Sequence, residues 1–359
     1  MELLFKNLMH GTLFDLIYAL KKVLFQIFKL NFLMKKIDII VTLGPASINK
    51  QFLKFINNKA SLVRLNMSHV KLQKLGKRIS FIKKYCSVPI CIDTEGAQIR
   101  IKFNKVKLIK LKKKERLIIN KQNGKFNFYP TEVFNLLKKN DILDVGFEGL
   151  QLKILSKNKN TIKLICTKPG TFGNNKGVHL KNRKIDLSFV TDKDLKAIEI
   201  AKKFNIKNFA LSFTNSKTDM MNFSKLLPTE KKFFKIETAR ALKCLDFFFK
   251  NQKNFLIDRG DLSKDIGIEN IPTTQRHIFK KSKKYKNVKV ALATNFLESM
   301  IKNPYPTRAE ANDIYNSLEM GASALVLAGE TAMGKYPIES VKFLSKIIKV
   351  FKKNKKLYV

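Results

Sequence analysis

A rhythm of short apolar runs, separated by longer helix-like segments, limits the fold of this chain most. The runs are DIIVTL (38–43), SLVRLN (61–66), PICIDT (89–94), NFALSF (208–213), KFFKIE (232–237), NFLID (254–258), VALAT (290–294) and ALVLAG (324–329). Each suits a buried strand and is too short for a stable helix. Strands alternating with helical segments call for parallel strands joined by crossover helices, and the eight runs suffice for an α/β fold, a (β/α)₈ TIM-type barrel. A length of 359 residues leaves room for such a barrel and an insert.

The rhythm breaks after the third run. Residues 101–181 hold alternating, lysine-rich patterns (VKLIKL, ERLIIN, QLKILS, TIKLIC) that read as a small β-domain inserted in a barrel loop. The expected organisation is an N-terminal extension (1–33), a first barrel part (34–100), the inserted β-domain (101–181) and a second barrel part (182–359). Within the extension, Leu16, Leu20, Val23, Leu24, Ile27 and Phe28 share one helical face, while Lys21, Lys22 and Lys29 interrupt the segment. It is too charged to span a membrane and lacks the marks of a signal peptide or organellar presequence. Two readings remain: an amphipathic helix that docks on the body or a membrane surface, or translation that begins at Met34. A cytoplasmic protein without a membrane span is expected.

The formal net charge of +43 raises the question of nucleic acid. Only nine of the 71 basic residues are arginine, the better fork for phosphates and bases, and the lysines occur in every segment. Abundant Phe, Ile and Asn with no Trp fit an AT-rich genome, so no specific nucleic-acid partner is expected. Cys86, Cys91, Cys166 and Cys244 form no C-x-x-C pair, and His10, His69, His179 and His277 fit no metal-binding pattern.

Polar residues gather at or just past the C-terminal ends of the apolar runs: Arg64 and Asn66, Asp93 and Thr94, Ser212, Lys235 and Glu237, Thr294, and Gly329 and Glu330. This is the face on which barrels build active sites. Lys235 lies two residues before Glu237, so an extended strand points both side chains the same way.

VTLGPAS (41–47), VRLNMSH (63–69), IDTEGAQIR (92–100), KIET (235–238), RGDL (259–262), ATNFLESMIKNPYPTRAE (293–310) and AGETAMGKYP (328–337) follow one another in the order of pyruvate kinase signatures. GNNKGVHL (173–180) resembles the segment that returns from that family's inserted domain. Over about residues 36–350 the chain resembles the pyruvate kinase family. The resemblance implies Mg²⁺-dependent (or Mn²⁺-dependent) phosphoryl transfer from phosphoenolpyruvate to ADP, giving pyruvate and ATP. It implies Lys235, Arg64 and Thr294 as catalytic residues and Glu237 and Asp261 as Mg²⁺ ligands. Asn66, Ser68, Asp93 and Thr94 match the family's K⁺ ligands, and Gly260 and Asp261 match the residues that bind the substrate carboxylate beside Arg64, Lys235 and Thr294. A homo-oligomer formed through barrel contacts is a further expectation.

Some positions depart from the family pattern. Glu95, Ala97 and Gln98 stand in EGAQ where the family has Lys-Gly-Pro-Glu; SFTN (212–215) lacks a basic residue after Ser-Phe, and Thr238 follows KIE in place of Asn. Glu95 brings negative charge near a phosphate site, and neutral Gln98 leaves the strictness of K⁺ dependence open. The family's C-terminal regulatory domain is expected to be missing. The leading reading is therefore an active enzyme. A decayed relative that binds phosphoenolpyruvate or nucleotide without turnover, and a different metal–enolate enzyme on the same barrel, are the alternatives.

Overall fold

The computed structural model describes Ile17, Tyr18, Leu20 and residues 36–103, 108–122, 124–146 and 148–357. Of the amphipathic helix expected near the N-terminus, Ile17, Tyr18 and Leu20 are helical and exposed, and the rest lies outside the described residues.

The barrel strands are β1 (Asp38–Thr42), β2 (Leu62–Asn66), β3 (Ile90–Asp93), β4 (Asn208–Leu211), β5 (Lys231–Ile236), β6 (Asn254–Asp258), β7 (Lys289–Ala293) and β8 (Ala324–Leu327). They pair in sequential order, every pair parallel, and β8 closes on β1. Because strand side chains alternate between faces, each apolar run divides its residues between two cores. Ile40, Leu62, Cys91, Ala210, Phe233, Leu256, Ala291 and Ala324 fill the barrel interior. Ile39, Val63, Ile92, Phe209, Phe234, Phe255, Leu292 and Leu325 face outward into the layer shared with the helices.

The helices match that outer layer. In Leu72–Tyr85, Leu75, Ile79 and Ile82 recur at helical spacing and are fully buried, each worth about 1.5–3 kcal/mol on burial. Thr191 and Asp194 form a capping box that starts Asp192–Lys203, and Thr307 and Glu310 do the same for Arg308–Met320. Gly321 ends the latter helix at φ 107°, a conformation that glycine adopts without a Cβ clash. No described helix is long and apolar enough to cross a membrane.

Between β3 and β4 the chain forms a seven-stranded antiparallel sheet and a two-stranded ladder of Leu108–Leu111 with Gly170–Gly173. Their own core includes Ile101, Phe126, Phe128, Leu152, Ile154, Leu164 and Phe172. The entering strand Ile99–Phe103 pairs with the returning strand Gly177–Leu180, Val178 opposite Ile99. Entry and exit therefore leave the barrel side by side, and Gln98 and His179 both reach Asp261 near the C-terminal end of β6.

Candidate active site

The alternation that fills the barrel also builds the site. Two residues beyond the interior positions Leu62, Cys91, Ala210, Phe233 and Leu256 stand Arg64, Asp93, Ser212, Lys235 and Asp258. Glu237 follows Lys235 at the same spacing. All six are buried. Inward positions that are apolar in the barrel middle thus become charged at its C-terminal rim.

Lys235 is the hub. Its Nζ lies 2.7 Å from Glu237 Oε1, 3.4 Å from Asp258 Oδ2 and 3.5 Å from Asp93 Oδ2, and donates to Ser212 Oγ at 3.2 Å. Burial alone would lower its pKa, but Asp93, Glu237 and Asp258 outweigh that and hold it above the ordinary lysine value, so it stays charged. Arg64 Nη1 adds a second buried cation 3.4 Å from Asp93 Oδ2, and its Nε and Nη1 have no hydrogen-bond partner.

Glu237, Asp258 and Asp261 each offer a carboxylate oxygen, all within 4.8 Å of one another. Burial pushes Glu237 up to about 8, with Lys235 opposing and Asp258 and Asp261 adding to the rise. Burial, then the Asp258 charge, pushes Asp261 up to about 6. Burial works on Asp258 in the same sense, but Lys235 and Arg64 win and hold it below the ordinary range. Glu237 Oε2 accepts the Phe213 amide at 2.6 Å, while Oε1 is ion-paired without a hydrogen bond of good alignment. Crowded, desolvated carboxylates with a poorly satisfied oxygen are what a hard divalent cation relieves, so the donor set fits Mg²⁺.

Thr294 follows β7 at φ 75°, a left-handed turn that breaks the strand alternation. Its hydroxyl donates to Asp258 Oδ1 at 3.0 Å and accepts the Gly260 amide at 3.0 Å. The Gly260 N–H, expected to face a substrate carboxylate, is thus engaged by Thr294 here. Of the four expected K⁺ ligands, Asn66 and Asp93 are register partners across β2 and β3. Asn66 Oδ1 accepts the Ser68 amide at 2.9 Å, and Thr94 Oγ1 accepts the Ser212 amide at 3.0 Å. Asp93 Oδ1 accepts from Ser212 Oγ at 3.2 Å, and its Oδ2 is buried without a hydrogen bond. These are hard oxygen donors on adjacent strand ends, a chemistry that suits an alkali cation. Gly329 and Glu330 do not join the site: Glu330 accepts the Leu297 amide at 3.1 Å and the Ala328 amide at 2.8 Å, tying two rim loops together.

Several contributions are absent from the sequence reading above. Asp258 completes the acidic cluster, and its signal was present, since NFLID ends on the inward parity of Leu256. Gln98 Nε2 donates to Asp261 Oδ1 at 3.0 Å, and His179 Nε2 lies 3.7 Å from the same oxygen. Buried Glu95 is neutralised by Lys193, whose Nζ is 2.8 Å from Glu95 Oε1 and donates to the Met67 carbonyl at 2.5 Å. Asp194 accepts the amides of Glu95 at 2.7 Å and Gly96 at 3.1 Å. Gly96 is required there: its φ is 66°, and a Cβ would sit 2.4 Å from the Ser212 carbonyl oxygen.

A family model described as the pyruvate kinase barrel domain matches residues 34–341. The chain belongs to the pyruvate kinase family. A pyruvate kinase of Staphylococcus epidermidis is 33% identical over 331 residues, covering 88% of this chain and 56% of the relative. The pyruvate kinase of Methanocaldococcus jannaschii is 33% identical over 322 residues, covering 89% and 70% respectively. That of Thermotoga maritima is 31% identical over 331 residues, covering 88% and 71%. The chain therefore spans little more than half the length of the staphylococcal pyruvate kinase.

Proposed function

We propose that this chain transfers the phosphoryl group of phosphoenolpyruvate to ADP, giving pyruvate and ATP in the last step of glycolysis. The observation that carries the reading is Lys235, a buried ammonium within 3.5 Å of three carboxylates, two of them, Glu237 and Asp258, in the acidic cluster. Glu237 and Asp261, with Asp258 beside them, would hold Mg²⁺ (or Mn²⁺), which when bound neutralises charge on substrate oxygens. Lys235 and Arg64 stabilise the negative charge spread over the transferring phosphoryl group. Both are fixed in position before substrate arrives, so little reorganisation opposes the reaction.

At the start of the helix Arg259–Ile266 the Asp261 amide receives the substrate carboxylate, an anion favoured at a helix N-terminus, while the Gly260 amide stays on the Thr294 hydroxyl. Thr294 contacts the same substrate on the side where the enolate takes up its proton. Asn66, Ser68, Asp93 and Thr94 would hold K⁺ and add positive charge near the phosphates. The antiparallel insert, taken as a unit over residues 101–181, brings His179 within 3.7 Å of Asp261 and would limit water at the site during transfer.

The Glu95–Lys193 pair supports the active reading over the decayed one, because the acid at 95 brings no uncompensated charge to the phosphate site. The test is a coupled assay for pyruvate from phosphoenolpyruvate and ADP in excess Mg²⁺ and K⁺. Stoichiometric ATP and pyruvate are expected. Phosphoenolpyruvate binding without turnover would mean a decayed relative, and consumption of phosphoenolpyruvate without ATP would mean a different reaction.

A further inference from the structure

Thr294 and Asn295 are consecutive non-glycine residues in the left-handed region, at φ 75° and φ 58°. Asparagine tolerates that conformation, but a β-branched threonine is a true outlier whose surroundings must over-determine it. Arg259 supplies the constraint. Its Nε and Nη2 both donate to the Thr294 carbonyl, at 3.1 and 2.5 Å. Its Nη1 donates to both carboxylate oxygens of Asp313, at 2.9 and 2.7 Å. The guanidinium also lies over the Phe296 ring, 4.5 Å from its centroid. All three partners fix the plane of the fork, and the side chain is only 12% exposed.

The next residue in the chain completes the hold, since the Gly260 amide donates to the Thr294 hydroxyl. Adjacent residues of one helix thus grip the threonine at both ends, carbonyl and hydroxyl. Asp313 lies on the helix Arg308–Met320, which anchors the grip to the outer layer of the barrel.

We infer that Arg259 is a positioning residue, held by Asp313, that keeps the Thr294 hydroxyl aimed into the site. The inference rests on the proposed function for the role of Thr294, but the geometric claim stands by itself. A lysine at 259 keeps the charge and loses the fork, because an ammonium cannot bridge a carbonyl and a carboxylate in one plane. Without the fork the threonine relaxes toward an extended conformation, and its hydroxyl leaves Asp258 and the Gly260 amide.

The experiment compares Arg259→Lys and Asp313→Asn with the unaltered chain. Readouts are kcat and KM for phosphoenolpyruvate, the solvent deuterium isotope effect on kcat, the urea midpoint, and the γ-methyl NMR resonance of Thr294. A misplacement on this scale is expected to lower kcat by on the order of 10- to 100-fold in Arg259→Lys, with KM nearly unchanged. The isotope effect rises as proton delivery becomes limiting, the Thr294 methyl resonance shifts, and Asp313→Asn gives a weaker version of each change. A kcat within about twofold of the unaltered chain in both variants overturns the inference, as does a loss of kcat with an unchanged isotope effect and methyl resonance. If Arg259→Lys does not fold, Asp313→Asn carries the test alone. If the unaltered chain makes no pyruvate, the proposed function fails, and the resonance then decides the claim: unshifted in both variants, it is overturned.

Discussion

Replacing Lys235 by methionine keeps most of the unbranched apolar stem and removes the terminal ammonium. The cation sits 2.7 Å from Glu237, 3.4 Å from Asp258 and 3.5 Å from Asp93. At an effective dielectric constant near 20, and above about pH 8 where Glu237 is ionised, those separations correspond to about 6, 5 and 5 kcal/mol of gross attraction. Desolvation of the ammonium and repulsion from Arg64 oppose it, so the net loss follows the ~3–5 kcal/mol found when one partner of a buried ion pair is removed. Much of that loss is the cost of the carboxylates left behind. Excess Mg²⁺ should therefore recover part of it by binding Glu237 and Asp261. Turnover should not recover, because the metal cannot replace a cation facing the phosphoryl group. A fall in kcat on the order of 10³ or more is expected, ~4 kcal/mol of transition-state stabilisation. Urea unfolding with EDTA or with Mg²⁺, alongside the pyruvate assay, reads both quantities. A stability loss below about 1 kcal/mol, or a kcat within about tenfold of the unaltered chain, would refute the reasoning.

Three further outcomes are expected. Glu237, pushed up to about 8, binds its proton more tightly folded than unfolded, so stability is lost as pH rises from its ordinary value through about 8. His69 and His179, lowered to about 4, act in the opposite sense but only below their ordinary value, so the clear window is pH 7 to 8. A fall of about 1 kcal/mol across that unit is expected in EDTA, flattened by Mg²⁺; a rise in the EDTA urea midpoint over that unit would contradict the burial argument. Activity should increase with K⁺ yet persist above about a hundredth of the K⁺ rate in tetramethylammonium buffer, a difference of ~2.7 kcal/mol, because Gln98 brings no carboxylate; a steeper loss defeats this. Glu95→Lys, although it installs the family's usual residue, should destabilise by ~3–5 kcal/mol by setting two cations against each other in a buried site. Adding Lys193→Glu should restore part of the stability, and additive losses in the double variant would argue against a direct pair.

The barrel and most of its rim were legible in the sequence because both depend on local pattern. Alternation within a strand of four to six residues decides which side chains point inward. The last inward position of a parallel strand opens on the face where a site forms, so Arg64, Asp93, Ser212, Lys235 and Glu237 could be read one run at a time. Asp258 obeys the same rule, closing its run on the inward parity of Leu256. What the tertiary structure alone decided are the contacts between distant parts of the chain. Gln98 and Asp261 are 163 residues apart, and Lys193 and Glu95 are 98 apart. No local periodicity encodes such pairs; they exist because closure of the barrel brings the ends of successive strands side by side and the insert returns along its own entry strand. The left-handed turn at Thr294 belongs to the same class. A threonine there reads as extended from its own preference, and only Arg259, Asp258 and Gly260, supplied by the neighbouring strand end, hold it otherwise.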